Sequence, residues 1–186
     1  MAWKDVVSVS EKRSVFYSEM DSFIGPITLV GTNQGVCMLQ YGSAEHSLPL
    51  VKTWLKKKNL KVDLLQQNNE ALQTVVTQLE EYFSGERNTF DVEIDLYGTK
   101  FQRLVWEALN AIPYGQTKSY KQVALEIGAP KAVRAIGAAN NQNPLPIILP
   151  CHRVVGSNGA MVGYGGGLRK KEQLLVLEGA LQKVSS

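Results

Sequence analysis

Residues 119–139 read SYKQVALEIGAPKAVRAIGAA, and this stretch holds two short helical patterns separated by a turn. Ser119 is a good N-cap for a helix over residues 120–127. The Gly-Ala-Pro sequence at 128–130 predicts a tight turn, and a second helix is expected over 131–141. Two short helices joined by a glycine-containing turn form a helix-turn-helix, a motif that many nucleic-acid-binding proteins use. The stretch therefore predicts a mainly helical unit built around it.

The second predicted helix has an unusually small surface. Alanine and glycine fill most of its positions, including Ala132 and Ala135, and Arg134 is the one long cation in its middle. Small side chains allow tight packing against neighbouring helices, and they also let a helix enter a narrow groove. Both interpretations are open, and we favour the groove because this half of the chain is basic.

Further elements are predicted upstream of the helix-turn-helix. Apolar residues recur at helical spacing from Phe101 to Ile112, and Pro113 ends that pattern. Residues 24–30 and 36–41 are strand-like and flank a turn signal, which predicts a hairpin. The other predicted elements are helices over 49–60 and 69–84 and strands over 62–65 and 90–96.

The net charge of +3 is distributed unevenly along the chain. Residues 1–95 hold 9 Lys+Arg and 13 Asp+Glu, a net of −4, whereas residues 96–186 hold 11 and 4, a net of +7. A basic half favours polyanionic partners, nucleic acid first among them, although a solvated basic face is the alternative. The change of sign also predicts a domain boundary near residue 96.

The composition excludes several classes of protein. Hydrophobic residues make up 44% of the chain and charged residues 20%, as in ordinary globular domains. No run of about 18 apolar residues occurs, so we expect no membrane-spanning helix. The polar start of the chain lacks a secretory apolar stretch, and two cysteines far apart do not indicate a disulfide framework. A cytoplasmic, reducing location is therefore expected.

The segment Pro150-Cys-His-Arg153 is the strongest candidate for chemistry. A cysteine is a nucleophile only as its thiolate, which a nearby base or positive charge favours. His152 is adjacent to Cys151 and is the candidate base. A base histidine needs an orienting acceptor, and the last predicted helix, over 168–178, offers Glu172 and Glu178. Glu178 is the candidate we favour, because it follows the apolar block 174–177 and a carboxylate there needs a partner. An exposed helix end is the alternative interpretation of Glu178.

Metal and phosphate sites are not indicated by the sequence. The two cysteines and two histidines do not have the spacing of a zinc site. The glycine-rich segment 163–167 lacks the Lys-Ser/Thr pair that follows a phosphate-binding loop. Cys37 is expected to be a buried packing residue. We therefore expect no metal and no cofactor.

Five segments of the chain resemble the O6-alkylguanine-DNA alkyltransferases, also called methylated-DNA–protein-cysteine methyltransferases. They are GTKFQRLVW at 98–106, IPYGQTKSY at 112–120, PCHRV at 150–154, GYGGGL at 163–168 and LLVLEG at 174–179. The resemblance implies an α/β N-terminal domain over 1–95, RNase H-like, with a small antiparallel sheet plus helices. It implies a mainly α, winged-helix-like C-terminal domain over 96–186 that carries the helix-turn-helix and the reactive cysteine.

The resemblance also implies a single-turnover DNA repair reaction, a direct reversal. Cys151 would take the methyl or other alkyl group from O6 of a flipped-out guanine and keep it. His152 would act as base through a bound water, with Glu178 orienting it. Asn143 would hydrogen-bond near the nucleophile, and Tyr120 would donate a proton or hydrogen bond to the guanine ring.

The remaining roles implied by the resemblance concern DNA. Arg134 would enter the base stack in place of the flipped nucleotide. The implied partner is double-stranded DNA carrying O6-alkylguanine, bound through its minor groove by a monomer, with O4-alkylthymine as a second candidate substrate and no membrane contact. The implied DNA-binding residues are Ser119, Lys131, Ala132, Arg134 and Ala135, and the implied guanine pocket is Tyr120, Val154, Tyr164 and Gly165.

Two other functions stay open at this point. A module that only binds the lesion would need no nucleophile, and the intact Cys151 argues against it. A hydrolase that uses Cys151 and His152 would have no need of a basic helix-turn-helix half. The expected location is the cytoplasm, in association with the nucleoid if the source is bacterial.

Overall fold

The computed structural model describes residues 14–182, and the chain divides into two units between Tyr97 and Gly98. Within residues 14–182, no helix has both the length and the apolar character needed to cross a membrane. Each unit has its own helices and its own sheet, and the two are described in turn.

A four-stranded mixed sheet forms the base of the first unit. Its strands are β1 (Val15–Met20), β2 (Ile27–Thr32), β3 (Gly35–Tyr41) and β4 (Leu65–Gln67), and their order across the sheet is β3-β2-β1-β4. Strand β2 pairs antiparallel with both of its neighbours, which confirms the predicted hairpin. Every residue of β2 is buried, because β2 lies in the interior of the sheet.

Two α-helices and two short 3-10 helices complete the first unit. They are α1 (Ala44–Lys57), α2 (Gln73–Phe83) and the 3-10 helices Val62–Leu64 and Glu70–Leu72. The core includes Val30, Cys37, Val51 and Leu55, each with no exposed surface. The expectation that Cys37 is a buried packing residue is confirmed.

The predicted α/β class of this unit is confirmed, but five details differ. Helix α1 spans Ala44–Lys57, so it begins five residues before the predicted helix over 49–60 and has Pro49 inside it. The sheet is not purely antiparallel, because β4 runs parallel to β1 after the helical connection that a parallel pair requires. Strand β1 was not predicted. The predicted strand over 62–65 is a 3-10 helix that leads into β4, and the predicted strand over 90–96 makes only a bridge between Val36 and Ile94.

The segment that contains Glu93 passes close to the start of β3, and Gly35 makes this approach possible. A Cβ atom on Gly35 would lie 2.3 Å from the carbonyl oxygen of Glu93, and its φ is +139°. The backbone N–H of Val36 donates to that carbonyl at 2.9 Å. Only glycine leaves room for this approach.

Four α-helices, one 3-10 helix (Cys151–Arg153) and a pair of two-residue strands make up the described part of the second unit. The α-helices are α3 (Lys100–Asn110), α4 (Tyr120–Glu126), α5 (Val133–Asn141) and α6 (Leu168–Leu177), and strands β5 (Lys118–Ser119) and β6 (Val154–Val155) pair in parallel. Its core includes buried apolar residues of all four α-helices: Val105, Trp106, Leu109, Val123, Ala124, Ile136, Leu174 and Leu175.

The helix-turn-helix predicted from the sequence is confirmed as α4, a turn and α5. The Ser119 side chain accepts from the N–H of Gln122 at 3.2 Å and caps α4, as predicted. Helix α5 begins at Val133, two residues later than predicted, because residues 130–132 still belong to the turn. The indole N–H of Trp106 donates to the Ala139 carbonyl at 2.8 Å and ties α3 to α5.

Candidate active site

Cys151 is the first residue of a 3-10 helix, Cys151–Arg153, and is 4% exposed. Asn143 fixes the buried loop that leads to it. Its amide donates to the Leu149 carbonyl at 2.7 Å, and its carbonyl accepts from the N–H of Leu145 at 3.0 Å. The loop contains Ile147 at φ +76°, a strained conformation for a β-branched residue, and the surrounding contacts hold it there.

The environment of Cys151 acts on its thiol in two directions. Burial raises the pKa of Cys151 to about 11, while a hydrogen bond from Asn143, the charge of Lys171 and nearby backbone N–H groups oppose that rise. The thiol is therefore protonated at neutral pH in the unliganded protein. A reaction at this sulfur needs a proton acceptor and stabilisation of the thiolate, and both kinds of group lie nearby.

His152 is the proton acceptor that the site offers. Its ring is fully buried, and Nε2 lies 2.8 Å from Oε1 of Glu178. Burial lowers the pKa of His152, so the imidazole is neutral at neutral pH. An ionised Glu178 can only accept, so Nε2 carries the ring proton and Nδ1 is left with a lone pair. Nδ1 is buried and has no hydrogen-bond partner among the described residues.

Glu178 is held as a carboxylate by several donors. Burial works against the charge, but hydrogen bonds from His152 and Arg153 bring the pKa of Glu178 down to about 2. Arg153 binds both carboxylate oxygens, at 2.8 and 3.0 Å, and also donates to the Ile112 carbonyl at 2.6 Å. At 4% exposed, Glu178 is not the exposed helix end that was the alternative interpretation.

Gly115 brings the loop after α3 onto the same carboxylate. Its N–H lies 3.3 Å from Oε2 of Glu178, its φ is +76°, and an added Cβ would lie 2.9 Å from the Glu178 carbonyl oxygen. A larger residue would push this loop away from Glu178. The glycine of the IPYG sequence at 112–115 is therefore what allows this loop to lie next to Glu178.

Lys171 is a site residue that sequence reasoning missed. It has no exposed surface, and its ammonium donates to the carbonyls of Val154 at 2.5 Å and Val162 at 2.9 Å. Burial lowers its pKa to about 8, and the neighbouring Cys151 opposes that shift. Helical spacing could have predicted its burial, because Lys171 shares one face of α6 with Leu174, Leu175 and Glu178.

Tyr120 is the first residue of α4, and its side chain is half-buried. The hydroxyl accepts from the Asn140 amide at 3.3 Å and lies 3.5 Å from the Val162 carbonyl. Burial raises the pKa of Tyr120, and the charge of Cys151 raises it further.

The other residues expected from the sequence differ in exposure. Lys131, Arg134, Ala135 and Gly165 are exposed, Ser119 and Ala132 are half-buried, and Val154 and Tyr164 are buried. Arg134 and Ala135 lie on α5 at the surface, where a large partner could contact them. Across residues 14–182, no cluster of three or more His, Cys, Asp or Glu side chains could hold a metal ion.

The second unit combines a buried thiol, a neutral imidazole and a carboxylate with a helix-turn-helix. Known proteins match the chain in both of its units. Residues 15–96 match the ribonuclease-like domain of 6-O-methylguanine DNA methyltransferase, and residues 100–180 match the DNA-binding domain of the same protein. The chain belongs to this methyltransferase family. The family and the two-part fold expected from the sequence are thereby confirmed.

Individual members of the methyltransferase family are similar over nearly the whole chain. The methylated-DNA–protein-cysteine methyltransferase of Methanosarcina acetivorans is 43% identical, over 89% of this chain and 99% of that protein. The same enzyme of Mycobacterium leprae is 46% identical, over 86% and 89%. The crystal structure of Mycobacterium tuberculosis OGT in complex with DNA superposes with a TM-score of 0.74 at 43% identity, covering 89% of this chain and 93% of that one.

Proposed function

We propose that this protein repairs DNA by direct reversal, transferring the alkyl group of O6-alkylguanine to its own Cys151. The observation that carries the proposal is the buried Cys151 thiol followed by His152, whose Nδ1 lone pair is unused and whose Nε2 is held by Glu178. Relatives of more than 40% identity are methylated-DNA–protein-cysteine methyltransferases, which supports the same activity here.

The transfer is a substitution at the alkyl carbon. The proton of the Cys151 thiol moves to Nδ1 of His152, either directly or through a bridging water. The sulfur then forms a bond to the alkyl carbon. The bond from carbon to guanine O6 breaks, and its electron pair stays on the guanine. Tyr120 donates a proton or hydrogen bond to the departing guanine, and Lys171 stabilises the thiolate before attack.

The product explains why each molecule acts once. The sulfur ends as a thioether, which has no good leaving group, and nothing in the described site offers a route to remove the alkyl group. Each protein molecule therefore repairs one lesion and is then inactive. No cofactor takes part in this scheme.

Reaction at O6 in a duplex requires the base to leave the stack. We assign DNA binding and alkyl transfer to residues 96–186. Arg134, exposed on α5, fills the space of the flipped nucleotide. The small side chains of α5 suit the minor groove, with contacts from Ser119, Lys131, Ala132 and Ala135. The flipped guanine lies among Tyr120, Val154, Tyr164 and Gly165.

The proposal extends to the partner and the setting. The protein acts as a monomer on duplex DNA, and O4-alkylthymine is a second substrate of the same chemical kind, an alkyl group on an exocyclic oxygen. Its setting is the cytoplasm, with the nucleoid if the source is bacterial, because Cys151 must stay reduced to react.

A stoichiometric titration tests the proposed function. A duplex with one O6-methylguanine is mixed with increasing protein, and restored guanine is counted. We expect one lesion repaired per wild-type molecule, none with Cys151→Ser, and full repair with Cys37→Ser as the matched control. Repair by Cys151→Ser, or repair of many lesions per molecule, would contradict the proposal, and tight binding without repair would indicate a lesion-binding module instead.

A further inference from the structure

Asn140 lies near the end of α5, and its side chain is buried beside Tyr120. It is 3% exposed, and its Nδ2 donates to the Tyr120 hydroxyl oxygen at 3.3 Å. Its Oδ1 is also buried and finds no hydrogen-bond partner among the described residues. In the described part of the chain, the side-chain amide thus makes one hydrogen bond, and that bond is to the Tyr120 hydroxyl.

A half-satisfied amide is an unfavourable choice for a buried position. Its polar atoms lose their water on folding, and only one of them regains a partner. Ile136 and Ala139 on the same helix are buried and apolar, so an apolar residue would suit the surroundings of position 140 better. The amide therefore destabilises the fold relative to an apolar side chain. The one interaction that an apolar side chain could not make is the hydrogen bond to Tyr120.

That contact decides what the Tyr120 hydroxyl can do. A phenol has one proton to donate and lone pairs that accept. Asn140 occupies the accepting side, so the O–H bond must turn elsewhere. Among residues 14–182 the one acceptor for the O–H group is the Val162 carbonyl at 3.5 Å, the outer limit of a hydrogen bond, and Val162 is exposed. The proton is therefore held loosely and is available to a bound molecule.

We propose that Asn140 is a positioning residue for alkyl transfer, which holds the Tyr120 hydroxyl so that its proton is presented to the base in the pocket. The proposal rests on the proposed function, in which Tyr120 donates to the departing guanine. The same contact stabilises negative charge on the Tyr120 oxygen as the proton leaves. Burial and Cys151 raise the pKa of Tyr120, and the Asn140 hydrogen bond opposes that rise.

A double-mutant cycle separates positioning from mere packing. The rate constant of a single turnover on O6-methylguanine duplex is measured for Tyr120→Phe, Asn140→Leu and the double variant. We expect Asn140→Leu alone to slow transfer roughly tenfold, about the effect of one hydrogen bond. Because Asn140 acts through the hydroxyl, adding Asn140→Leu to Tyr120→Phe should cause no further loss. Losses that multiply, or an unchanged rate in Asn140→Leu, would overturn the proposal.

A second variant of the same shape guards against misfolding. In Asn140→Asp the carboxylate cannot donate and instead accepts the Tyr120 proton, so transfer should slow while DNA affinity is retained. A wild-type rate in Asn140→Asp would overturn the proposal. The titration of Tyr120 gives a direct readout by 13Cζ NMR, with Tyr120→Phe identifying the signal. Its midpoint should lie at higher pH in Asn140→Leu, and an unmoved midpoint would count against Asn140.

The outcomes distinguish this proposal from the function on which it rests. Wild-type protein that removes no alkyl group would refute the function itself. Tyr120→Phe that transfers at the wild-type rate would remove the donor role of Tyr120, and with it the role of Asn140, while leaving transfer to Cys151 intact.

Discussion

Nε2 of His152 lies 2.8 Å from Oε1 of Glu178, and neither side chain has any exposed surface. This contact sets the tautomer of the ring, because an ionised carboxylate accepts the Nε2 proton and leaves Nδ1 as the basic nitrogen. Arg153 holds the same carboxylate from the other side. The proposed base and the carboxylate that orients it are thus parts of one buried network, and Cys151 is next to His152 in the chain.

Glu178→Gln tests this network. A glutamine can donate to Nε2 and let the ring proton move to Nδ1, which removes the base, so we expect transfer to slow by about a hundredfold or more. Buried Arg153 also loses its counter-charge, which should lower the free energy of unfolding by ~3–5 kcal/mol. Single-turnover rates and urea unfolding give the two values.

Glu172 supplies the matched control for that variant. It is exposed on the same helix, α6, and Glu172→Gln should leave both the rate and the stability near those of the wild type. A Glu178→Gln rate within twofold of the control would contradict the role given to Glu178.

The pH dependence of transfer should follow His152 on its acid side. Burial lowers the pKa of His152 from 6.5, so the ring stays neutral and basic as the pH falls to 6.5 and becomes protonated only below it. The unfolded chain takes up that proton at higher pH than the folded protein, so stability also falls as the pH drops through 6.5. Single-turnover rates measured across this range should therefore fall with a midpoint below 6.5, and a midpoint above 6.5 would contradict this environment for His152.

Lys171→Met should make Cys151 less reactive. The variant keeps much of the side chain's length but removes the charge that opposes the rise in the pKa of Cys151. We expect alkylation by iodoacetamide to need higher pH and transfer to slow roughly tenfold. Arg169→Met, an exposed neighbour on α6, is the control. The same pH profile in Lys171→Met and the wild type would show that Lys171 only supports the loop it binds.

Arg134→Ala should affect duplex DNA more than a free base. An exposed arginine that fills the gap of a flipped nucleotide is needed only when there is a stack to enter. We expect repair of a duplex to weaken by about tenfold or more and reaction with free O6-benzylguanine to be unchanged. Lys52→Ala, an exposed cation on α1, is the control. Equal losses on both substrates would remove Arg134 from base flipping.

Local features of the sequence were enough to predict much of this protein. The Ser119 cap, the turn after α4 and the apolar stripe of α3 depend on neighbouring residues, and the structure contains all three. Strand β1 was missed because its buried positions include the polar Ser18, which breaks the apolar alternation. Strand β4 is too short, at three residues, for any alternation to be visible.

Cys151 and His152 were predicted from the sequence as candidate nucleophile and base, and these roles stay predictions, whereas Arg153 and Lys171 were not predicted as part of the site. Cys151 and His152 adjoin in the chain, so one motif reveals both. Arg153 bonds to groups 25 and 41 residues away, and such long-range contacts leave no local pattern. Lys171 belongs to a basic run that is typical of a solvated surface, and only its position on the buried face of α6 distinguishes it.

The central claim is that the alkyl group ends on Cys151. The most direct measurement is intact and peptide mass spectrometry after incubation with a duplex carrying one O6-methylguanine. The account predicts a gain equal to one CH2 group, located on the peptide that contains Cys151, together with restored guanine in the DNA. An unchanged protein mass, or the added group on any other residue, would contradict it.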